Sequence, residues 1–244
     1  MLAASGARLR VGDRGAREGA WLGANRRVRV SPDCHEVDRM LELAVAAGAV
    51  IDPDPTLYVP SAASAWWREE AAKREDAFTV LATTSRWSSK AWPTDAWVEL
   101  GTRLVERGST KWIGLLGSSG EVQHVSEVAE ALDARGIPCV DWSGRTNVAQ
   151  MMAIIEAATL TVSNDSAALH MAVGLGGRYV GLFGPTDPAR VGPWRKPEWA
   201  IRAPLEPGEQ LSYRDPALGD RIMSRLSVDA VEKVIEGMCE EPVS

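Results

Sequence analysis

The sequence has few cysteines, and the three it contains do not form a paired framework. Cys34, Cys139 and Cys239 are far apart in the chain and odd in number. Closely spaced cysteine pairs are typical of structural zinc sites, and even sets of cysteines are typical of small secreted domains with disulfides. We therefore expect no metal site and no disulfide framework, and we expect the protein to be found in a reducing cytoplasm.

The chain of 244 residues also lacks long apolar runs and an excess of positive charge. No run approaches the roughly 20 apolar residues that a membrane-spanning helix needs, and the first residues, MLAASGARLR, lack the basic and then apolar pattern of a signal peptide. The formal net charge of -6 argues against nucleic acid as a partner and leaves at most peripheral contact with a membrane, although it does not exclude a local basic pocket.

Short apolar runs alternate with helical patterns from about Asp76 onward. The helical patterns begin at the N-cap candidates Thr94, Asn147 and Asp165, and they end at Gly108, Gly136 and Gly176. This alternation predicts an α/β fold in which helices cover both faces of a doubly wound parallel sheet. The strands of that sheet are predicted at residues 78–84, 111–119, 138–144, 158–165 and 178–186.

The front of the chain has a different character from the remainder. It contains one strand candidate at residues 26–30, a helix predicted over residues 33–48, and the proline-rich stretch DPDPTLYVP, which resembles a linker. One short strand is too little for a second doubly wound sheet. We therefore predict a boundary that separates a partial domain with its linker, residues 1–60, from a main domain, residues 61–244. The main domain is predicted to begin with a helix at 61–74 and to end with a loose loop from 206 and a helix at 228–238.

The ends of the predicted strands carry polar or glycine-rich segments. In open parallel sheets, ligands bind at the carboxyl ends of the strands, near the point where the strand order reverses. All these segments would lie on that edge, so the sequence predicts one composite site. The segments are residues 83–85, 118–121, 144–146, 165–166 and 184–187.

The segment ATTSRWSSKAWP follows the first of these strands. Its hydroxyl groups and backbone N–H groups can cradle phosphate oxygens, and Lys90 adds a compact positive charge that suits a diphosphate. The alternative is an ordinary solvated loop with a surface lysine.

The segment SNDSAALHMA places a polar turn between a strand and a helix. The exposed N–H groups at the start of that helix would stabilise an anion, whereas the negative Asp165 suits sugar hydroxyls or the orientation of the loop. His170 lies little more than one turn further and can face the same site. The alternatives are a simple helix cap and a packed histidine.

Two further segments complete the set. GLLGSSGE has the spacing G-x-x-G-x-x-G, which differs from the dinucleotide fingerprint G-x-G-x-x-G and disfavours a nicotinamide enzyme. Its Glu121 either caps the next helix or accepts hydrogen bonds from ribose hydroxyls. LFGPTDPARVGPW contains two glycine-proline turns, so it either forms a rigid wall of a pocket or is an ordinary connection.

In this order and spacing, TTSRWSSKAWP, SNDSAALHMA and GLFGPTDPARVGP resemble the ADP-heptose:lipopolysaccharide heptosyltransferase family. Members are glycosyltransferases of the two-domain GT-B type, with a Rossmann-like donor domain. The resemblance covers residues 76–194 well. GARLRVG and CHEVDRMLELAVAAG in the front resemble the end of the family's N-terminal domain and its connection.

The resemblance implies a role for each matching residue. Lys90 would stabilise the departing ADP, and it is the one residue to which we assign a catalytic role. Glu121 would bind the ribose, and Thr146 would border the adenine. The phosphates and the sugar would be bound by the remaining positions, with His170 supporting the turn: Thr83, Thr84, Ser85, Asp165, Ser166 and Ala167. No cofactor and no metal ion are implied.

The sequence departs from the family at two places. Ala167 stands where the family usually has glycine, and no early G-D loop with the aspartate that activates the acceptor hydroxyl precedes Ala3. Asp13 lies too far along the domain to take that role. The expected function is transfer of a sugar, heptose by resemblance, from an ADP-sugar to a lipopolysaccharide core or related glycan at the inner face of the inner membrane.

Two alternatives to this enzyme remain at the level of the sequence. The absence of the base favours a non-catalytic nucleotide-sugar-binding module that works with a separate acceptor-binding protein, so this chain is expected to be inactive in that case. A nucleotide-sugar epimerase is a weaker alternative, because such enzymes need extra carboxylates and histidines and the chain has only three histidines.

Overall fold

The front of the molecule is a small parallel unit followed by two helices. A computed structural model describes residues 5–74 and 77–240, so Asp76, where the alternation was predicted to begin, lies outside the described part. Strand β1 pairs in parallel with β2, and a 3-10 helix connects them. The elements are β1 (Val11–Asp13), the 3-10 helix (Arg17–Gly23), β2 (Arg26–Val28), α1 (Glu36–Ala46) and α2 (Ser61–Ala71).

A parallel sheet forms the centre of the rest of the chain. Six strands, counted within the described residues, pair in the order β5-β4-β3-β6-β7-β8, and every pair is parallel. The order reverses between β3 and β6, which confirms the doubly wound sheet predicted from the alternation. The strands are β3 (Phe78–Ala82), β4 (Trp112–Leu115), β5 (Cys139–Asp141), β6 (Leu160–Asn164), β7 (Tyr179–Phe183) and β8 (Ala200–Arg202).

Helices cover both faces of this sheet. One hydrophobic core contains the buried side chains of α3, α4, α8 and α9, and the other contains those of α5 and α6 with the tryptophans of α2. Strands that are buried on both faces explain the continuous apolar runs in the sequence. The helices are α3 (Thr94–Glu106), α4 (Val122–Asp133), α5 (Val148–Ala157), α6 (Ala167–Gly174), α7 (Pro188–Val191), α8 (Pro216–Met223) and α9 (Val228–Glu240).

The helix ends match the sequence prediction only in part. Asn147 caps α5 in a reciprocal capping box with Gln150, and Gly108 and Gly176 follow their helices with positive φ angles. The prediction was wrong for Thr94 and Asp165. The N-cap residues of α3 and α6 are Pro93 and Ser166, and the Asp165 side chain binds a lysine instead.

Several short elements were missed in the sequence. Strands β1 and β8 have three residues each, too few for a periodic pattern to show. Helix α7 lies in the segment interpreted as turns, and α8 lies in the region predicted to be a loose loop. Both helices begin with proline just after a capping aspartate, a start signal that their surroundings of turn residues concealed.

The proline-rich linker lies against the main sheet domain. The Leu57 N–H donates to the Gly174 carbonyl at the end of α6, with 2.8 Å between nitrogen and oxygen. A Cβ at Gly174 would come within 2.7 Å of the Leu57 side chain, so glycine permits this contact. The division of the chain at residue 60 stays a prediction.

Among the described residues, none of the helices is long and apolar enough to cross a bilayer.

Candidate functional site

The carboxyl ends of β3 and β6 lie side by side at the point where the strand order reverses, and an ion pair joins them. Lys90, at the end of the 3-10 turn Ser88–Lys90, donates from Nζ to Asp165 Oδ2 over 2.7 Å. The Ser85 hydroxyl donates to the Asp165 backbone carbonyl over 3.0 Å. Two segments predicted separately, 75 residues apart at the ion pair, thus form one site.

Asn164 holds the loop after β3 in place. Its side chain is fully buried, and its Nδ2 donates to the Thr83 carbonyl over 2.8 Å, while Oδ1 accepts from the Trp92 N–H over 3.1 Å. A buried amide with partners on both sides fixes the path of the loop that carries Lys90. Asn164 was not predicted as a site residue, although it directly precedes Asp165.

A cleft of about 560 Å³ opens beside this ion pair, between the loop after β3 and the start of α4. We call it the switch-point cleft. Three of its lining residues were predicted: Thr84, Ser85 and Glu121. Its lining residues with other charged, amide or imidazole side chains were not predicted, and three of the four lie on α4, which showed only a helical pattern in the sequence. These are Arg86, Gln123, His124 and Glu127.

Glu121 lies in the switch-point cleft as an anion. It occupies the N-cap position of α4, and its Oε2 accepts from the Ser118 N–H over 2.7 Å. Burial acts to raise the pKa of Glu121, but hydrogen bonds from Ser118 and Thr84 outweigh burial and lower the pKa below the usual value. An ionised carboxylate with further lone pairs can accept hydrogen bonds from sugar hydroxyls.

The start of α6 presents backbone donors to the same edge of the sheet. Ser166 is the N-cap residue, but its hydroxyl pairs with the Ser163 hydroxyl over 2.9 Å, and among the described side chains none caps the helix. Ala167 is the first helical residue and is exposed. The free N–H groups and the helix dipole therefore favour a negative group at this position.

His170 is an exposed residue of α6, yet neighbouring protein atoms displace water from part of its ring. This desolvation lowers the pKa of His170. Asp165 acts to raise that pKa, while His35 and Lys90 act to lower it further by charge repulsion. The imidazole is consequently biased toward its neutral form beside the ion pair.

The front segment contacts the site through the start of α1, which the sequence did not predict. The His35 Nδ1 accepts from the Val37 N–H, and its Nε2 donates to the Gly192 carbonyl, each over 3.1 Å. These two bonds require the tautomer with the proton on Nε2. Two further bonds join α1 to the segment LFGPTDPARVGPW, which was predicted to be either a pocket wall or an ordinary connection: Arg190 to Glu36 over 3.1 Å and Trp194 to Asp38 over 3.1 Å.

Helix α8 and the residues before it support the turn that carries Lys90. The Ser89 hydroxyl donates to the Tyr213 carbonyl, and the Lys90 ammonium lies 5.5 Å from the centre of the Tyr213 ring. Gly219 of α8 faces the backbone of Ser89 so closely that a Cβ there would lie 2.3 Å from the Ser89 Cα. No local pattern reveals these contacts, because their partners are more than 120 residues apart.

The predicted residues Thr83 and Thr146 belong neither to the lining of the switch-point cleft nor to the Lys90–Asp165 ion pair beside it. The Thr83 side chain is fully buried, and its hydroxyl has no hydrogen-bond partner among the described residues. Thr146 is half-exposed in the loop between β5 and α5. Within the described residues, no three or more His, Cys, Asp or Glu side chains lie together in a group that could hold a metal ion.

The sequence model of glycosyltransferase family 9 (heptosyltransferase) matches residues 1–219 of the chain. Lipopolysaccharide core heptosyltransferase OpsX of Haemophilus influenzae is 23% identical over 243 residues, which cover 92% of this chain and 66% of the relative. Lipopolysaccharide heptosyltransferase 2 of Escherichia coli K12 is 31% identical over 101 residues, 41% of this chain and 28% of the relative. The chain thus spans less than two thirds of these relatives.

Solved structures show the same fold. ADP-heptose lps heptosyltransferase II of E. coli superposes with a TM-score of 0.74 at 21% identity, over 96% of this chain and 70% of that chain. E. coli heptosyltransferase WaaC with ADP superposes with a TM-score of 0.60 at 22% identity, over 88% of this chain and 60% of that chain. The α/β fold of GT-B type expected from the sequence is confirmed.

Proposed function

The chain belongs to glycosyltransferase family 9, and from this premise we propose that it binds an ADP-sugar at the switch-point cleft for glycosyl transfer. The donor sugar is a heptose, and the acceptor is a lipopolysaccharide core or related glycan at the inner face of the cytoplasmic membrane, which requires only peripheral membrane contact. The observation that carries this proposal is the Lys90–Asp165 ion pair, which joins the two strand ends where such sheets bind nucleotides.

The geometry supports a separate role in donor binding for each group of the site. A diphosphate at the start of α6 accepts hydrogen bonds from the free N–H groups there, and Lys90 opposes the negative charge that grows on the leaving ADP. Glu121, ionised at the far wall of the cleft, receives the ribose hydroxyls. Asp165 orients Lys90, and its remaining oxygen is available to a sugar hydroxyl.

Two solved structures support the choice of nucleotide. The E. coli heptosyltransferase WaaC has been solved with ADP and with ADP-2-deoxy-2-fluoro heptose. At identities of 22%, these structures carry the fold to this chain, and the nucleotide is part of the proposal.

Calorimetric titration with ADP and UDP tests the proposal at Glu121. ADP is expected to bind, and Glu121→Ala is expected to weaken it by roughly tenfold, because a charge-assisted hydrogen bond to ribose is lost. Glu121→Gln retains an acceptor for the Ser118 N–H and should therefore lose less affinity. Glu130→Ala, on the exposed side of α4, is the control. If neither nucleotide binds to the folded chain, the proposal is wrong.

A nucleotide-sugar-binding module without catalysis is the second candidate. It is favoured by the state of the carboxylates at the front of the molecule. Asp13 pairs with Arg39 over 2.8 Å, Glu36 pairs with Arg190, and Asp38 accepts from Trp194, so none of these three is poised to take a proton from an acceptor hydroxyl. Release of ADP from ADP-heptose that depends on an acceptor glycan would exclude this candidate.

The affinity for ADP is expected to depend on pH through His170. The lowered pKa leaves His170 neutral in the free protein at pH values where an ordinary histidine is partly charged. A bound diphosphate offsets the repulsion by Lys90 and raises this pKa, so binding takes up a proton and becomes tighter as the pH falls. Calorimetry near pH 6 in buffers of different ionisation enthalpy measures this uptake. His170→Gln should abolish this proton uptake on ADP binding. Equal proton uptake in the wild type and in His170→Gln would contradict the prediction.

A further inference from the structure

We propose that Tyr213 is a positioning residue for Lys90, and that an ion pair outside the switch-point cleft keeps Tyr213 in place for this role. Tyr213 belongs to residues 204–215, which lie between β8 and α8 and which we call the strap. The effect on nucleotide binding rests on the proposed function, because it requires that Lys90 meets the diphosphate of the donor. The placement of the Lys90 ammonium by the strap rests on contacts within the chain alone.

Tyr213 contacts three of the four residues from Trp87 to Lys90. Its ring meets the Trp87 ring in a T-shaped contact, with 5.5 Å between the ring centres and 66° between the planes. Its backbone carbonyl accepts from the Ser89 hydroxyl, and its ring faces the Lys90 ammonium, with 5.5 Å from Nζ to the ring centre. One residue of the strap therefore contacts the beginning, the middle and the end of the turn.

The contact between Tyr213 and Lys90 is electrostatic more than it is hydrophobic. Tyr213 is 40% exposed and Trp87 is 38% exposed, so burial of apolar surface accounts for only part of the arrangement. The negative face of an aromatic ring attracts a cation within about 6 Å of its centre, and Lys90 Nζ lies within this distance. The ring thus favours one position of a long side chain that is flexible on its own.

An aromatic ring is suited to this task because it occupies none of the hydrogen-bond donors of the ammonium. A lysine ammonium has three N–H donors. Among the described residues, the one hydrogen-bond acceptor for Lys90 Nζ is Asp165 Oδ2, over 2.7 Å. Asp165 and Tyr213 together therefore hold Nζ in place and leave donors free for the oxygens of a diphosphate.

A cluster of bonds to Arg225 anchors the first half of the strap. Arg225 donates to both carboxylate oxygens of Glu209, over 2.8 and 3.0 Å, and to the Pro204 carbonyl over 3.2 Å. Such a two-point contact between arginine and carboxylate fixes direction as well as distance. Only residues 210–212 separate Glu209 from Tyr213, so loss of this anchor should let the Tyr213 ring move away from Lys90.

Selective 13C labelling of lysine measures the position of the Lys90 ammonium without any ligand. The chain has five lysines, so the Cε–H signals are few, and Lys90→Arg identifies the signal of Lys90. Protons above an aromatic ring are shifted upfield by its ring current. We expect an upfield Lys90 signal that moves toward the position of a free lysine in Tyr213→Leu and stays in Tyr213→Phe. Tyr58→Leu is the control, because Tyr58 is 78% exposed.

The anchor is tested by the same signal. Arg225→Gln should move the Lys90 signal in the same direction as Tyr213→Leu does, because the strap loses its two-point contact with Glu209. Arg221→Gln removes an equal charge from an exposed position of α8 and should leave the signal unchanged. Equal movement in the two arginine variants would show that charge alone is responsible, and it would overturn the role of the anchor.

Calorimetric titration with ADP separates this proposal from the proposed function. Tyr213→Leu is expected to weaken ADP binding by roughly three- to fivefold, the effect of one cation–π contact at a partly exposed site, and Tyr213→Phe should retain the affinity. An unmoved Lys90 signal in Tyr213→Leu, or a moved signal with unchanged ADP affinity, would overturn the positioning role. If the wild type does not bind ADP, the proposed function is refuted, and the Lys90 signal still decides whether the strap places the ammonium.

Discussion

Lys90→Ala is expected to weaken ADP binding by roughly ten- to a hundredfold, the largest effect of any single side chain in the candidate site. If the chain catalyses transfer, the same change should lower turnover by about 10² to 10³, because the charge on the departing diphosphate grows in the transition state and loses its fixed cation. Lys90 is mostly buried, with 16% of its side chain exposed, so water replaces its charge poorly.

Lys90→Ala also leaves Asp165 without its cation, and this side effect has to be separated from the loss of function. The Asp165 side chain is only 7% exposed, and an unpaired buried carboxylate costs about 3 kcal/mol of unfolding free energy. Asp165→Asn combined with Lys90→Ala removes the uncompensated charge. The double variant should therefore recover stability in urea denaturation without recovering ADP binding.

Two comparisons make this test specific. Lys73→Ala removes an exposed lysine that pairs with Glu70 on α2, and it should change neither ADP binding nor stability appreciably. Lys90→Arg keeps the charge but replaces a compact ammonium with a planar group, so we expect it to restore only part of the affinity. If Lys90→Ala binds ADP as tightly as the wild type, the nucleotide does not contact this ion pair.

The central sheet was predictable from the sequence, and the short elements were not. Strands such as β3 and β6 are buried on both faces, so each appears in the sequence as a short run with apolar and β-branched residues that ends in a polar turn. Strand β8 has three half-exposed residues and lies at the edge, where its pairing with β7 and not its composition makes it a strand. Helix α8 follows a turn-rich stretch, and packing on the Ser88–Lys90 turn stabilises it.

The candidate site, too, was predictable from the sequence only in part. Thr84, Ser85, Lys90, Glu121 and Asp165 follow strand ends, so strand direction alone brings them to one edge. The ion pair itself depends on the side-chain conformations of two residues from different loops. The contacts of His35 and Tyr213 depend on how distant segments dock, and local sequence patterns carry no information about docking.

Gly219→Ala should reveal how far nucleotide binding depends on that docking. A Cβ at Gly219 would lie 2.3 Å from both the Cα and the carbonyl oxygen of Ser89, atoms that move only with the backbone. We expect a loss of about 1 to 3 kcal/mol in unfolding free energy, because either α8 or the Ser88–Lys90 turn must shift. A shift of the turn displaces Lys90, so ADP binding should weaken although no residue of the cleft has been changed.

Gly237→Ala is the matched control, because Gly237 also lies within a helix but a Cβ there would meet no atom within 4 Å. Alanine is the better helix former by about 0.5 to 1 kcal/mol, so this variant should be slightly more stable than the wild type and bind ADP equally well. Opposite signs of the two stability changes, measured by urea denaturation, would show that the contact with Ser89 and not the loss of a helical glycine is responsible. If Gly219→Ala lowers stability but leaves ADP affinity intact, then α8 is the element that shifts, and the Ser88–Lys90 turn keeps Lys90 in place. Nucleotide binding would then depend on Asn164 and Asp165 for its geometry and not on the packing of α8.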